Sequence, residues 1–408
     1  MSSLDDPAAH LATLDCVHCG LCIESCPTYR LTGRESAGPR GRVYLMRAFL
    51  ENRVESTPEA LADLDLCLVC RACETSCPSG VRYAEVIAHL RSQTRRRGIL
   101  RRLLMDAVLP HPRRLHFAAT LLRLHQRTLG RVLAPLLPPR LRRMQAMLPE
   151  IPRGSERSFL PEFTPARGER LGTVGFLQGC VMSQLFPGEN RATVRLLAAA
   201  GFDVVCPPAA RCCGALHEHD GALTAARALA AEVTRAFAGR EIRALVTNSA
   251  GCGAAVAEYG HRLEEDDARA LASRAVDVTR FLLDHGERLR FAPLPLRVTY
   301  DAPCHLHHAQ QESSAPLEVL RRIPELEIIP LEDSERCCGA AGIYNLDHPR
   351  MSDAILAEKL DALERTGAEV LLSGNPGCLL QWRSGIRSRG LRVRADHPVI
   401  LLARALSS

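Results

Sequence analysis

Aromatic side chains make up only 4% of the 408 residues, and there is a single tryptophan. That leaves little material for the stacking platforms that hold single-stranded nucleic acid. An excess of one charge is lacking too. The 52 basic and 46 acidic residues leave a net +6, too weak a bias to name a nucleic-acid partner. No stretch approaches eighteen uncharged apolar residues, so no membrane-spanning helix is expected. The first thirteen residues have no basic start and no apolar run, and they carry Asp5 and Asp6, which argues against a secretory signal and for a cytoplasmic chain. Lysine is almost missing; Lys359 stands alone, which reads as base-composition bias. No G-x-G-x-x-G follows a strand and no G-x-x-x-x-G-K-[ST] occurs, so neither flavin nor NAD, nor pyridoxal phosphate, is expected on this chain.

What is present is ordinary globular material, 46% hydrophobic and 24% charged, long enough for two to three domains. The informative count is cysteine, at seventeen. In a reducing compartment so many thiols are not expected to be disulfides, and their clustered spacing points to metal or redox chemistry.

Residues 1–90 hold two complete copies of C-x2-C-x2-C-x3-C-P: Cys16, Cys19, Cys22 and Cys26 before Pro27, then Cys67, Cys70, Cys73 and Cys77 before Pro78. Three cysteines at spacing three wrap one face of a cuboidal [4Fe–4S] cluster, and the fourth, beside the proline, reaches the other cluster. Applied here, Cys16, Cys19, Cys22 and Cys77 hold one cluster, and Cys67, Cys70, Cys73 and Cys26 the second. The crossing ties both runs into a mostly helical, ferredoxin-like unit. Structural zinc favours two C-x2-C pairs at longer separation and fits two proline-terminated quartets poorly. Between the runs, Gly38-Pro39-Arg40-Gly41-Arg42 reads first as a turn and cap before a helix, Val43 to Glu51; its arginines offsetting cluster charge is the second reading.

Residues 91–168 form a basic helical connector and linker. Fourteen arginines face one acid, Asp106, between 91 and 143, so the basic character is local. Leu115, Ala118, Leu122, Leu129, Val132 and Leu136 share a helical stripe, and Arg123, Arg127 and Arg131 stand four apart on another. Pro149 to Pro165 reads as a linker.

Residues 169–290 and 291–408 repeat one another. Cys180, the Cys212-Cys213-Gly214 triplet and Cys252 recur as Cys304, Cys337-Cys338-Gly339 and Cys378, each separated from its counterpart by 124 to 126 positions. Strand-like and helix-like segments alternate in both copies, which predicts two pseudo-symmetric α/β repeats. Each offers four thiolates, enough for a further cluster, while buried thiols or a dithiol are the alternatives. The glycine after each pair permits close backbone approach. His305, His307 and His308, with His217 and His219, read as satisfied histidines before metal or quinone ligands. Cys206 is left over.

Two ferredoxin-type runs followed by two Cys-Cys-Gly domains resemble the iron–sulfur subunits of flavin dehydrogenases at membranes: glycolate oxidase, anaerobic glycerol-3-phosphate dehydrogenase and heterodisulfide reductase. Cys77-Pro78-Ser79-Gly80-Val81-Arg82-Tyr83, Ser249-Ala250-Gly251-Cys252-Gly253-Ala254 and Cys304-His305-Leu306-His307-His308-Ala309-Gln310 favour the glycolate oxidase family, glycolate dehydrogenase in another name. The resemblance implies an electron-transfer subunit with two [4Fe–4S] clusters and one or two more in the repeats. Flavin-containing partner subunits would oxidise glycolate to glyoxylate, and electrons would pass to a quinone, with the chain peripheral on the cytoplasmic face of the inner membrane. Service to a glycerol-3-phosphate or lactate dehydrogenase is one alternative. A catalytic heterodisulfide reductase-like subunit is another, against which Ser249 and Asn375 stand where that relative has cysteines. A zinc-stapled binding protein is the third.

Overall fold

The computed structural model describes residues 7–55, 57–95, 97–128, 137–157 and 160–407. Leu129, Arg131, Val132, Leu136 and Arg96, which the sequence placed on the basic connector, lie outside them.

The described residues among the first ninety are mostly helical, as expected. Pro27–Thr32, Pro39–Leu50, Pro58–Asp65 and Tyr83–Thr94 are the main described helices. Proline opens three of them, because its fixed φ suits the first helical position and its missing N–H would be unpaired there anyway. The helix between the cysteine runs therefore begins at Pro39, four residues earlier than its apolar pattern implied. Its inner face carries Val43, Met46 and Phe49, which pack on Leu64, Val86, Ile87 and Leu90.

Two sheets follow. In the first, β1 (Phe163–Thr164), β2 (Gly172–Phe176), β3 (Phe202–Val205), β4 (Leu245–Thr247) and β5 (Ala275–Asp277) lie in the order β1-β3-β2-β4-β5. In the second, β6 (Leu296–Tyr300), β7 (Leu326–Ile329), β8 (Val370–Leu372) and β9 (Arg394–Asp396) lie in the order β7-β6-β8-β9. All neighbours are parallel except β1, which runs antiparallel to β3. The order β3-β2-β4-β5 thus recurs as β7-β6-β8-β9. Strands β5 and β9 have three residues each and an aspartate at the end, too short for any period to register in the sequence.

One apolar cluster runs through both sheets, joining Phe176, Val204 and Val246 to Val298, Val370 and Leu372. The helices cross over reciprocally. Pro187–Ala199 of the first repeat packs on Pro398–Ala405 of the second, and Val278–His285 packs on Ala315–Leu320. The repeats therefore share a core rather than standing as beads on a string.

The Pro149–Pro165 stretch has no helix among its described residues, but it is fastened. Ile151 and Arg157 are fully buried. The Arg157 guanidinium donates to the carbonyls of Pro152 and His116, to Gln184 Oε1 and to Thr120 Oγ1. Among the described residues no helix is long and apolar enough to cross a membrane.

Candidate metal centres

The two ferredoxin-type loops share one backbone shape. His18 and Val69, each just before the second cysteine of its run, have φ of 57° and 53°; Gly20 and Arg71, each just after it, have φ of 84° and 66°. A left-handed β-branched valine is costly, and such strain is held where the surroundings over-determine it. Alternating handedness turns successive N–H groups inward to make an anion-binding nest. The Val69 amide already donates to Cys67 Sγ at 3.3 Å.

The thiols gather crosswise. Cys22 is pushed up to about 11, by burial first and then by the neighbouring thiols of Cys16, Cys77 and Cys19. Cys73 is raised by burial and then by Cys70 and Cys67, with Cys26 also acting on it. One cavity is walled by Cys26, Cys67, Cys70 and Cys73 together with Arg42 and Tyr83. The buried Tyr83 hydroxyl lies beside the Arg42 guanidinium at this cavity. A four-thiol cradle suits a sulfide-bearing group, and metal cations would relieve the crowding that raises Cys70 and Cys73. No three His, Cys, Asp or Glu among the described residues are set around a single ion.

Residues 38–42 are the turn and helix start expected, with Gly38 before the first turn, and Arg42 among them is buried. It is 1% exposed and donates to Asp63 O at 3.0 Å and Thr28 Oγ1 at 2.9 Å, with Nη1 3.9 Å from Cys26 Sγ. Burial opposes its charge, but Tyr83, Cys67 and Cys26 hold it protonated, above the usual arginine value. It is a buried cation beside the second quartet. Arg40, by contrast, pairs with Glu35 at 2.7 Å near the surface.

In each repeat the cysteines follow the carboxyl ends of strands. Cys180 comes after β2, Cys212 and Cys213 after β3, and Cys252 after β4. The chain leaves β2 for β3 on one side and then crosses to β4 on the other, so the quartet stands at the topological switch point, where open α/β sheets bind ligands. Gly214 and Gly339 (φ 81° and 85°) let the paired cysteines lie against a helix; a Cβ there would meet Ala226 O at 3.0 Å or Ser352 O at 2.8 Å. Cys213 and Cys252 Sγ are 3.2 Å apart. Hydrogen bonds from Cys212 and Cys252 hold Cys213 well below the usual thiol value, and Cys337 and Cys378 do the same for Cys338. The structure thus brings Cys180, Cys212, Cys213 and Cys252 together, and likewise Cys304, Cys337, Cys338 and Cys378.

The groups adjoin one another. After burial, the strongest influence raising Cys70 is the Cys304 thiol of the second repeat. The histidines act as fasteners across this junction. His305 Nε2 lies 3.0 Å from Val69 O, His308 Nδ1 is 3.0 Å from Thr75 Oγ1, and His348 Nε2 is 3.3 Å from Asp65 Oδ2. The buried His217 bonds Met105 O at 2.8 Å. A cavity of about 110 Å³ opens where the three parts meet, with Val69, Arg71, His219, Gly251, Glu258 and His305 in its wall.

Three residues the sequence did not flag bind the assembly. Asp65, Asp220 and Asp347, one from each part, converge on connector arginines. Arg95 reaches Asp347 at 2.6 Å, Asp220 at 3.4 Å and Asp65 at 3.6 Å; Arg97 reaches Asp220 at 2.6 Å; Arg101 pairs with both Asp220 and Asp347. Asp220 is 2% exposed, and the Gly221 that follows it (φ 75°) would bring a Cβ within 2.7 Å of the Arg91 backbone. Only the excess of arginine hinted at these partners. Cys206 is 1% exposed in the shared core, and burial alone pushes it up to about 12, so it is an inert packing thiol.

Residues 12–81 match the family model of a 4Fe-4S dicluster domain, residues 174–257 and 298–383 that of a cysteine-rich domain, and residues 96–148 that of the glycolate oxidase iron–sulfur subunit linker region. A probable glycolate oxidase iron–sulfur subunit of Bacillus subtilis is 37% identical over 96% of this chain and 94% of that protein. The glycolate oxidase iron–sulfur subunit of Escherichia coli is 36% identical over 96% and 93%. Lactate utilization protein A of Geobacillus thermodenitrificans is 30% identical, over 53% of this chain and 93% of that protein.

Proposed function

Since the chain belongs to the family of glycolate oxidase iron–sulfur subunits, we propose that it carries electrons, one at a time, from a flavin-bearing partner that oxidises glycolate to glyoxylate towards a quinone. In this reading Cys16, Cys19, Cys22 and Cys77 hold one [4Fe–4S] cluster and Cys67, Cys70, Cys73 and Cys26 the other. The two pseudo-symmetric cysteine-rich repeats hold further clusters, for which close pairs such as Cys213 and Cys252 must open. The carrying observation is that Cys70 of the second run and Cys304 of the second repeat pack against one cluster with Leu68, Cys337 and Tyr344, which supports a path from the ferredoxin-type groups into that repeat.

Entry and exit follow from exposure. Cys19 alone of the seventeen cysteines is exposed, so the flavin subunit would meet the first cluster there. The cavity beside His219 and His305 would admit the acceptor near the second cluster and both repeats. Ser249 and Asn375 count against heterodisulfide chemistry in the repeats.

Peripheral membrane contact draws support from a different face than the sequence offered. Arg95, Arg97 and Arg101 turn inward, whereas Ile99, Leu100, Leu103, Phe117, Leu121 and Leu124 are exposed, with Arg102, Arg113 and Arg127 exposed alongside. Apolar residues fringed by arginine suit an anionic leaflet. Adding glycolate anaerobically to the chain with its flavin partner should produce the reduced iron–sulfur EPR signal. Flavin reduction with no such signal would overturn the reading.

A further inference from the structure

Lys359, the one lysine of the chain, is 4% exposed. Lysine is rarely so buried unless paired. Its Nζ lies 2.7 Å from Asp301 Oδ1 and donates to the carbonyls of Asp333, Ser334 and Arg336 at 3.0, 3.1 and 2.9 Å. Those carbonyls belong to the turn that runs straight into Cys337 and Cys338. Asp301, 1% exposed, takes Trp382 Nε1 at 2.9 Å and Ser373 Oγ at 3.1 Å on its other oxygen. Desolvating two such charges is costly enough that apolar packing is often as stable.

The first repeat has that apolar packing. Leu177 follows β2 as Asp301 follows β6, and their amides make the same bond across the sheet, to Val246 O and Leu372 O. Val256 stands four residues after Cys252 as Trp382 stands four after Cys378. The contacts of Gly214 with Ala226 and of Gly339 with Ser352 put Val233 in register with Lys359. Leu177, Val233 and Val256 share one apolar cluster. One chain therefore builds the same fold both ways, and the fold does not demand the ion pair. The repeat that has it is also the one whose Cys304 and Cys337 share an apolar cluster with Cys70.

We propose that Lys359 and Asp301 position the Cys337–Cys338 turn and set the charge beneath it, so that the second repeat takes the electron leaving the Cys26, Cys67, Cys70 and Cys73 group. This rests on the reading that the thiol groups hold iron–sulfur clusters. In the step one electron moves, the donor group is oxidised, the acceptor group is reduced, and no bond or proton changes. A buried cation favours the state with the added electron; a buried carboxylate opposes it.

The test is an anaerobic EPR-monitored redox titration of the full chain, with the second-repeat signal assigned by its loss in Cys338→Ser. Lys359→Met should lower that midpoint by at least the equivalent of a tenfold change in the reduced-to-oxidised ratio, about 59 mV for one electron. Asp301→Asn should raise it, with the ferredoxin signals unmoved in both. Should the single variants fold poorly, the Asp301→Leu, Lys359→Val, Trp382→Val triple variant carries the first repeat's three residues, leaves no indole N–H unpaired, and should fall between them. Shifts of the same sign in the two single variants, unmoved midpoints, or reducible iron confined to the ferredoxin pair would overturn the inference alone. No reducible iron anywhere would overturn the function reading and this inference with it.

Discussion

Ser249 Oγ donates to Asn375 Oδ1 at 3.4 Å, a direct bond between equivalent positions of the two repeats. The same oxygen accepts the Gly251 amide at 3.2 Å, and Asn375 Nδ2 donates to Cys378 Sγ at 3.4 Å. One polar clasp thus joins the repeats and touches a thiol group. Its removal by Asn375→Ala should lower the unfolding free energy by about 1–2 kcal/mol. Urea unfolding measures this, and an unchanged midpoint would contradict it.

In the proposed crossed ligation the fourth cysteine of each run serves the other run's cluster. Cys26→Ser should alter the EPR signal that Cys70→Ser also alters, leaving the Cys19→Ser signal intact. Cys77→Ser should pair with Cys19→Ser in the same way. If Cys26→Ser instead reproduces Cys19→Ser, each run holds its own cluster.

Trp382 is a built-in reporter. It is fully buried and one helical turn beyond Cys378. An iron–sulfur chromophore absorbs where tryptophan emits, so emission from this only tryptophan should be strongly quenched in loaded protein and rise when iron is chelated. Cys338→Ser should release emission while ferredoxin signals persist. Emission indifferent to iron would place no cluster in the second repeat.

Asp277 caps the helix Val278–His285 by accepting the Thr279 amide at 2.8 Å, and burial pushes its carboxyl up to about 6. A carboxyl raised in the folded state favours folding while protonated. Its contribution is full below the unfolded value near 4 and is lost as pH rises through about 6. Asp277→Asn keeps the cap without titrating. Wild type should therefore lose roughly 1–3 kcal/mol relative to this variant between pH 4 and pH 7, read from paired unfolding curves. A constant difference would contradict the assignment.

Spacing carried most of what the sequence made legible. Two C-x2-C-x2-C-x3-C-P runs and three cysteine anchors offset by 124 to 126 residues are one-dimensional patterns, and they led to the groups the fold assembles. Partners brought together only by folding were not legible. Asp220 meets Arg95 from 125 positions away, and His305 meets Val69 from 236. Arg42 reads as a turn residue until its burial beside Cys26 is seen. Lys359 reads as compositional bias until Asp301 appears beneath it. Exposure misleads as well: the arginines of the connector suggest a charged face, yet three of them close an internal knot and leucines fill the surface beside them.

The most direct test is iron and acid-labile sulfide per chain, with EPR after dithionite, on protein purified without oxygen. The account predicts about eight iron atoms with matching sulfide from the first ninety residues, more with the repeats loaded, and reducible [4Fe–4S] signals. A colourless chain with zinc, or with no iron and no signal, would contradict it.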